Sequence, residues 1–422
     1  MSTFVPLIEW LLLGLLLALA AGSLLNLSHS AHWIVRGWDF PRVQIIALTL
    51  LCTAGHLGLR LNWANQAGSL PGVWRDLAVA SLAIAIVAWH SYRIIAFTPL
   101  APRQVERTTR RDDAEAIRIV VSNVEMENQQ REHWQRVIEQ ADPDRLIAVE
   151  VDEDWMEAIA PLRRQFPYEV AYPQDNWYGM LVLSKLPLSN VQTRFLVQTD
   201  IPSVHATVKL RSGRHIRVCG LHPRPPEPWR NNPSRHRDAE LVLLAEELED
   251  ESLPVIVCGD LNDVAWSSTT RLFLRLSGLL DPRRGRGLYN SFHASHWWLR
   301  FPLDHLFHFH GFTLRALQRL PHVGSDHFPI LVELQYEPAE RSEQPPPEET
   351  AADEALAETL IDHEEEEGEK SLDEDQRAPR AGATASPSPS ATERFASPPR
   401  DGTIFAARFP FETATVRSKC RG

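Results

Sequence analysis

The sequence predicts an α+β or α/β sandwich of about 220 residues, set behind a membrane-embedded segment and ahead of a structureless tail. Three observations predict it. Short apolar runs alternate with amphipathic stretches from Ala116 to Leu334. Three long apolar runs occupy residues 1–100. Pro, Ser and Glu take over after Leu334.

The membrane part comes first. "FVPLIEWLLLGLLLALAAGSLLNL" is longer than the roughly 20 apolar residues that cross a bilayer as a helix. Further runs cover Val43–Leu59 and Leu77–Phe97, giving expected spans at 4–27, 43–61 and 77–97. Trp10, Trp33, Trp38, Trp63, Trp74 and Trp89 fall at or near the run ends, as interfacial anchors do. A cleaved leader would carry Lys or Arg before its apolar run, and this one carries none. Two more runs follow, so the first is expected to remain as a span.

Three spans put the N-terminus and the large C-terminal part on opposite sides. Arg36, Arg42, Arg93, Arg103, Arg107, Arg110 and Arg111 lie on the C-terminal part's side, against Arg60 and Arg75 on the other. The positive-inside rule then predicts a multi-pass protein of the cell (inner) membrane with a cytoplasmic domain. Residues 101–114 read as a linker.

From 115 to 336 the elements read in order. "IRIVVSN" is a strand, "QREHWQRVIEQA" a helix, "RLIAVEV" a strand, and "WMEAIAPLRRQF" helical. Strand-like runs follow at "YEVAY", "GMLVLSK", "SVHATVKL" and "IRVCGLH". A helix "RDAELVLLAEELED" leads into the strand "PVIVCGD", and "LDHLFHF" and "HFPILVEL" close the series.

Net charge is −12, from 43 Lys and Arg against 55 Asp and Glu. Roughly −10 of it lies beyond residue 336, so the acidity belongs to the tail. Residues 337–422 are expected not to fold. The sandwich has no strong basic excess, which argues against non-specific binding of long nucleic acid. The four cysteines show no zinc-type spacing. Cys219 and Cys258 read as buried small hydrophobes, able to pair only if their strands are neighbours.

Acids stand where buried strands end. "IRIVVSNVEMEN" runs into Asn123, Glu125 and Asn128, and Glu150 ends an apolar run. "IRVCGLH" ends in His222, and "VIVCGDLND" ends in Asp260, Asn262 and Asp263. Asp304 sits between apolar residues, and Asp326 and His327 precede the last strand. Asp and Glu are rarely buried unless paired or metal-bound. Strands sharing a sheet would bring these groups to one edge, where like charges cannot all stay ionised. A divalent cation resolves the conflict, and oxygen ligands without cysteine favour magnesium or manganese. Alternation along a strand would put Glu125 beside Asn123, and Asn262 beside Asp260.

In order, "SNVEMEN", "IAVEV", "GMLVLSKLPL", "GLHPRPP", "VIVCGDLND", "LDHL" and "GSDHFPI" resemble the endonuclease/exonuclease/phosphatase superfamily of deoxyribonuclease I-like enzymes. The likeness extends to bacterial members with N-terminal spans. It implies a four-layer α/β sandwich, two packed sheets flanked by helices, and metal-assisted hydrolysis of a phosphoester. By position it implies Glu150 as main metal ligand, with Asn123, Asp326 and Glu125 beside it. Asp260 would orient and deprotonate the water and Asn262 would hold water or phosphate. His222 and His327 would bind phosphate, with Asp304 the partner of His327. Arg224 at the loop "HPRPPEPWRNNPSRHRD" would add a phosphate or headgroup contact, with Arg230 and Arg235 as further candidates. His305, His308 and His310 receive no role. "ASHWWLRF" reads either as an apolar lip near the bilayer or as core. The expected substrate is a phosphorylated small molecule or a lipid in the bilayer; a nuclease acting on DNA or RNA is the alternative.

Overall fold

The computed structural model describes residues 4–28, 30, 32–67, 72–225, 234–338 and 344–362. The chain opens with α1 (Phe4–Leu25), a short α2 (Trp33–Gly37), α3 (Arg42–Ala67) and α4 (Val73–Ile94). Three stretches in them, Pro6–Leu25, Arg42–Gln66 and Val73–Phe97, are long and apolar enough to cross a membrane. Polar ties join the three helices. At one end Arg60 pairs with Asp76 at 2.9 Å and Arg75 with Glu9 at 2.5 Å. Nearer the other, Ser23 and Arg42 both meet His90, at 2.9 and 3.3 Å. Polar groups in such segments are costly unless they find one another.

Two sheets follow. The first has the order β10-β11-β1-β2-β4-β3, from β1 (Ala116–Asn123), β2 (Arg145–Val149), β3 (Tyr168–Tyr172), β4 (Met180–Ser184), β10 (Phe312–Arg319) and β11 (Ile330–Tyr336). The second, β5-β6-β7-β8-β9, is built from β5 (Leu188–Arg194), β6 (Ser203–Lys209), β7 (His215–Leu221), β8 (Val255–Asp260) and β9 (Asp304–His308). Each sheet has a parallel pair, β1 with β2 and β7 with β8, and is otherwise antiparallel.

Alternation sorts the side chains. Ile117, Ile119, Val121, Val218, Ile256, Cys258 and Leu306 fill the core between the sheets. Val120, Leu146 and Ala148 face outward onto Trp134, Ile138 and Trp155 of α5 (Arg131–Ala141) and α6 (Glu153–Ala158), with α7 (Ala160–Arg163) beside them. On the other flank Cys219, Val257 and Phe307 pack on α8 (Arg235–Glu249) and α9 (Ser268–Ser277). The result is the expected four-layer sandwich. Cys219 and Cys258 are on neighbouring strands, yet they face opposite sides of the sheet and both thiols are free.

Several expectations need correction. The strands β5 and β10 and the helix α9 carry too few consecutive apolar residues to stand out in the sequence. The expected linker, 101–114, is packed chain: Val105 is fully buried and Arg107 bridges to Leu314. The tail does not lose structure at 337. Gln344 is buried, accepting from the Glu106 N–H and donating to the carbonyls of His310 and Phe312. Residues 351–362 form a helix, α10, whose Ala357 and Leu360 cover Val242 and Leu272. That apolar packing and the Arg275–Asp353 pair hold a short helix that composition alone would reject. The remainder of the expected tail, 363–422, lies outside the described residues.

The N-terminal helices and the sandwich share an interface. Arg36 of α2 pairs with buried Asp238 at 3.0 Å and also donates to Ser268. The Trp266 indole donates to the Asp39 carbonyl at 2.7 Å. Phe40 meets Phe301 edge-on in an apolar cluster with Phe97, Trp266 and Leu303. The α1–α3 connector therefore lies on the sandwich's side of the helical bundle.

Gly259, within β8, has φ 150°, and a Cβ there would lie 1.9 Å from the Leu221 carbonyl oxygen. Gly259→Ala is expected to destabilise the fold by about 3 kcal/mol or more, because backbone on both strands must shift. Thermal unfolding of full-length protein checks it; an unchanged midpoint would refute the close approach.

Candidate active site

The strand register that builds the core also builds the site. Val121 and Cys258 point into the inter-sheet core, so Asn123 and Asp260, two residues on, point the same way at the strand ends. Asp304 opens β9 directly opposite Asp260. His222 follows the end of β7, beside β8. Glu150 follows β2, next to β1. Both sheets thus deliver polar groups to one end of the sandwich.

Contacts join these groups. The Asn123 amide nitrogen donates to Glu150 Oε1 at 2.7 Å and to Asp260 Oδ2 at 3.1 Å. His327 Nδ1 lies 2.7 Å from Asp304 Oδ2, and its Nε2 lies 3.5 Å from Asp260 Oδ2. His222 Nε2 is 4.0 Å from the same Asp260 oxygen. Asp326 Oδ1 is 4.0 Å from His327 Nε2. The Asn262 N–H donates to Asp260 Oδ1 at 2.9 Å, and its amide donates to the Pro223 carbonyl at 3.0 Å. Two cavities meet here and share Glu150, Pro225 and Asn262. One of about 350 Å³ runs toward Asn176, Trp177, Tyr178 and His222. The other, about 410 Å³, runs past Asp260, Asp326 and His327 to Trp33, Gly37, Phe40 and Phe292.

Three placements differ from the expectation. Asn123, expected as a neutral oxygen ligand, turns its nitrogen to the two acids, and its oxygen accepts from the Glu125 N–H at 2.9 Å. It bridges the carboxylates. Glu125 and Asn262 reach the site by turns rather than by strand alternation: β1 and β8 end before them, and they have φ of 54° and 51°. Glu150 is left-handed too, at 65°. Non-glycine residues rarely adopt that conformation, and clusters of them mark functional sites. Arg224 is engaged by Asp200 at 2.6 Å and stacks over Tyr178. Arg230 lies outside the described residues.

Electrostatics divide the two histidines. Burial opposes a charge on His327, but Asp304 and Asp260 overcome it and raise the ring to about 10. Burial wins at His222 and lowers it to about 4, against the pull of Asp260. One ring is held as an imidazolium, the other neutral. Burial also pushes the acids up: Glu150 to about 7, with Asp260 above the ordinary carboxylate range. Glu125 is raised by burial and by Asp326. Acids that resist ionisation together suit a hard divalent cation, and their oxygen donor set fits one. Asp260, Asp304 and His327 also offer ligand atoms within 4.8 Å of one another. There, however, the imidazole is already held by Asp304.

Other residues complete the site without having been expected. Ser325 donates to the Asn123 carbonyl and accepts from the His327 N–H, both at 2.9 Å, tying β1 to the last loop. Tyr178 packs against His222 with the rings tilted at 41° and their centroids 5.4 Å apart. The serine within "GSDH" and the aromatic turn "NWYG" before a strand were the available signals. Trp33 and Phe40 had none, because their sequence reads as membrane connector. Asn128 braces the Val124 and Val323 carbonyls and Asp263 binds Ser267, so both are structural.

No curated protein matches the chain. Similar solved structures include the human Nocturnin catalytic domain with bound sulfate anion, at 18% identity and TM-score 0.44, covering 54% of this chain and 96% of that one. A humanised D. rerio TDP2 matches at 16% identity and TM-score 0.43, covering 52% and 99%. An endonuclease/exonuclease/phosphatase family protein from Bacteroides thetaiotaomicron matches at 14% and 0.42, covering 53% and 95%. Residues 120–327 match the model of the Endonuclease/Exonuclease/phosphatase family. Through that domain the chain belongs to the endonuclease/exonuclease/phosphatase family of metal-dependent phosphoester hydrolases.

Proposed function

We propose that this enzyme hydrolyses the phosphate ester of a membrane-borne amphipathic substrate, a phospholipid or a lipid-linked phosphate. The observation that carries the reading is a shared wall. The 410 Å³ cavity that holds Glu150, Asp260, Asn262, Asp326 and His327 is closed on one side by Trp33, Gly37 and Phe40, from the connector between two candidate spans. A wholly water-soluble substrate needs no apolar wall beside the membrane; one with an acyl or prenyl chain does. We read α1, α3 and α4 as spans of the cell membrane, with the sandwich on the arginine-rich, cytoplasmic side. We divide the chain accordingly into a membrane region, 1–100, and a catalytic domain from 115 to 336.

Roles follow from the chemistry of each group. Glu150, Glu125 and Asp326 would hold a divalent cation, magnesium or manganese, with Asn123 fixing Glu150 relative to Asp260. When bound, such an ion supplies charge neutralisation at a phosphoryl oxygen. Asp260, whose burial strengthens its basicity, accepts the proton of the attacking water, and the Asn262 turn holds its carboxylate in place. The His327 imidazolium, kept charged by Asp304, offers Nε2–H to a phosphate oxygen. His222, neutral and backed by Tyr178, completes the phosphate cradle. Arg224 lies too close to Asp200 to serve without releasing it.

Three measurements test this reading. Magnesium at a hundred times its Kd should stabilise the protein by about 2.7 kcal/mol. Glu150→Gln should lose most of that gain in thermal unfolding; equal stabilisation of both proteins would remove Glu150 from the metal site. In a panel of lipid, sugar-phosphate and nucleic-acid substrates, Asp260→Asn should lower kcat about a thousand-fold, and chelator should abolish turnover. Activity that survives both sinks the mechanism, while preferential cleavage of DNA or RNA supports a nuclease. Trp33→Ala and Phe40→Ala should each raise KM for a long-chain lipid phosphate about ten-fold. That loss should shrink as the chain is shortened; a rise independent of chain length would refute the apolar wall.

A further inference from the structure

A second cleft, of about 530 Å³, opens where α4 meets the sandwich, apart from the catalytic groups. Tyr92, Arg93, Ile95, Ala96 and Phe97 line it from the end of the third candidate span; Arg271 and Arg275 line it from α9, and Arg284 from the loop beyond. Four arginines and no acid form its lining. Arg275 is satisfied by Asp353, at 2.5 and 2.8 Å. The other three have no ion-pair partner among the described residues. Arg271 uses only its Nε, donating to the Ser267 carbonyl at 3.0 Å. Arg93 lies over the Trp89 ring at 4.9 Å, and its Nε is buried without any hydrogen-bond partner.

Such an arrangement is costly as it stands. Burial lowers Arg271 to about 10, and Arg93 and Arg275 add to the effect. Partly desolvated guanidinium groups that repel one another call for an anion, and planar donors match phosphate oxygens in pairs. The position narrows the source. Tyr92, Ile95 and Leu100 are exposed at this end of the span, which is the level at which lipid headgroups sit. Basic pockets at the ends of spans take anionic headgroups elsewhere by the same physics.

We propose that Arg93, Arg271 and Arg284 form a second anion site, binding a phosphate ester at the membrane surface, distinct from the catalytic centre. It rests on reading α4 as a span but not on the assigned catalytic roles. The bound group is structural: it fills the junction of α4, α9 and the 284 loop, and so fixes the sandwich against the helical bundle.

The test uses the full-length protein in detergent, exposed to phosphatidylglycerol or to phosphatidylcholine, with retained lipid read by native mass spectrometry. Phosphatidylglycerol should be retained in preference. Arg93→Gln and Arg271→Gln should each weaken its retention about ten-fold, the loss of one charge-assisted contact. Arg136→Gln, an exposed arginine of α5 that lines neither cleft, should not. Arg284→Gln gives the same reading where the Arg93 or Arg271 variant fails to fold. Millimolar inorganic phosphate identifies the source. Displacement of the lipid by phosphate means that the site reads the anion alone, and resistance means that the acyl chains contribute. Equal retention of the two lipids, or retention unaffected by Arg271→Gln and Arg284→Gln, would overturn the proposal. Retention lost in His222→Ala and kept in the arginine variants would place the lipid in the catalytic cavity instead.

Discussion

Everything at the reactive end of this sandwich is organised around one difficulty, the confinement of like charges. Glu125, Glu150, Asp260, Asp304 and Asp326 share a small space, and Asp260 and Asp304 are almost fully buried. Carboxylates in such a place either take up protons or acquire positive partners. The protein provides one partner itself, the His327 ring set between Asp304 and Asp260. It provides a neutral brace in the Asn123 amide, which donates to two acids at once. What these cannot neutralise is left for a cation and, in turn, a phosphate.

The same pressure explains the backbone. Among the described residues, seven non-glycine positions have positive φ, and four of them, Glu125, Glu150, Trp177 and Asn262, belong to the site. Glu125, Glu150 and Asn262 each place a side chain just beyond a strand, where strand geometry alone would send it elsewhere. The rigid sheets beneath make that strain tolerable, because the core between them is dry and tightly interlocked. Precision at the strand ends is thus a property of the whole double sheet.

Most of the polar groups that converge at this end of the sandwich were legible in the sequence because burial and charge contradict each other so openly there. An apolar run ending in "GD", or an acid inside "IAVEV", has few innocent explanations. The four layers were expected from the resemblance alone, while alternation sorts the faces of each strand, separating Val121 from Val120 and Cys258 from Val257. Turn-dependent features were not. Glu125 and Asn262 were expected on extended strands and arrive by left-handed turns, which no periodicity announces. Long-range placement was equally hidden. Trp33 reads as an interfacial anchor and Phe40 as part of a connector, and only the fold brings them to the cavity that holds Glu150, Asp260 and His327. Helix α10 escaped notice because its surroundings are Pro- and Glu-rich, while its stability comes from Val242 and Leu272 on other elements.

The buried pairing of Arg36 with Asp238 has a wider meaning. Asp238 lies inside the hydrolase sandwich, but half of its compensating charge comes from the connector between two apolar helices; Arg237 supplies the rest. Grafting the sandwich onto a foreign helical segment would break that partnership and unroof the adjoining pocket. The two halves of this chain are therefore constrained to diverge together, as a single heritable unit, and the helical segment cannot be exchanged as an interchangeable part.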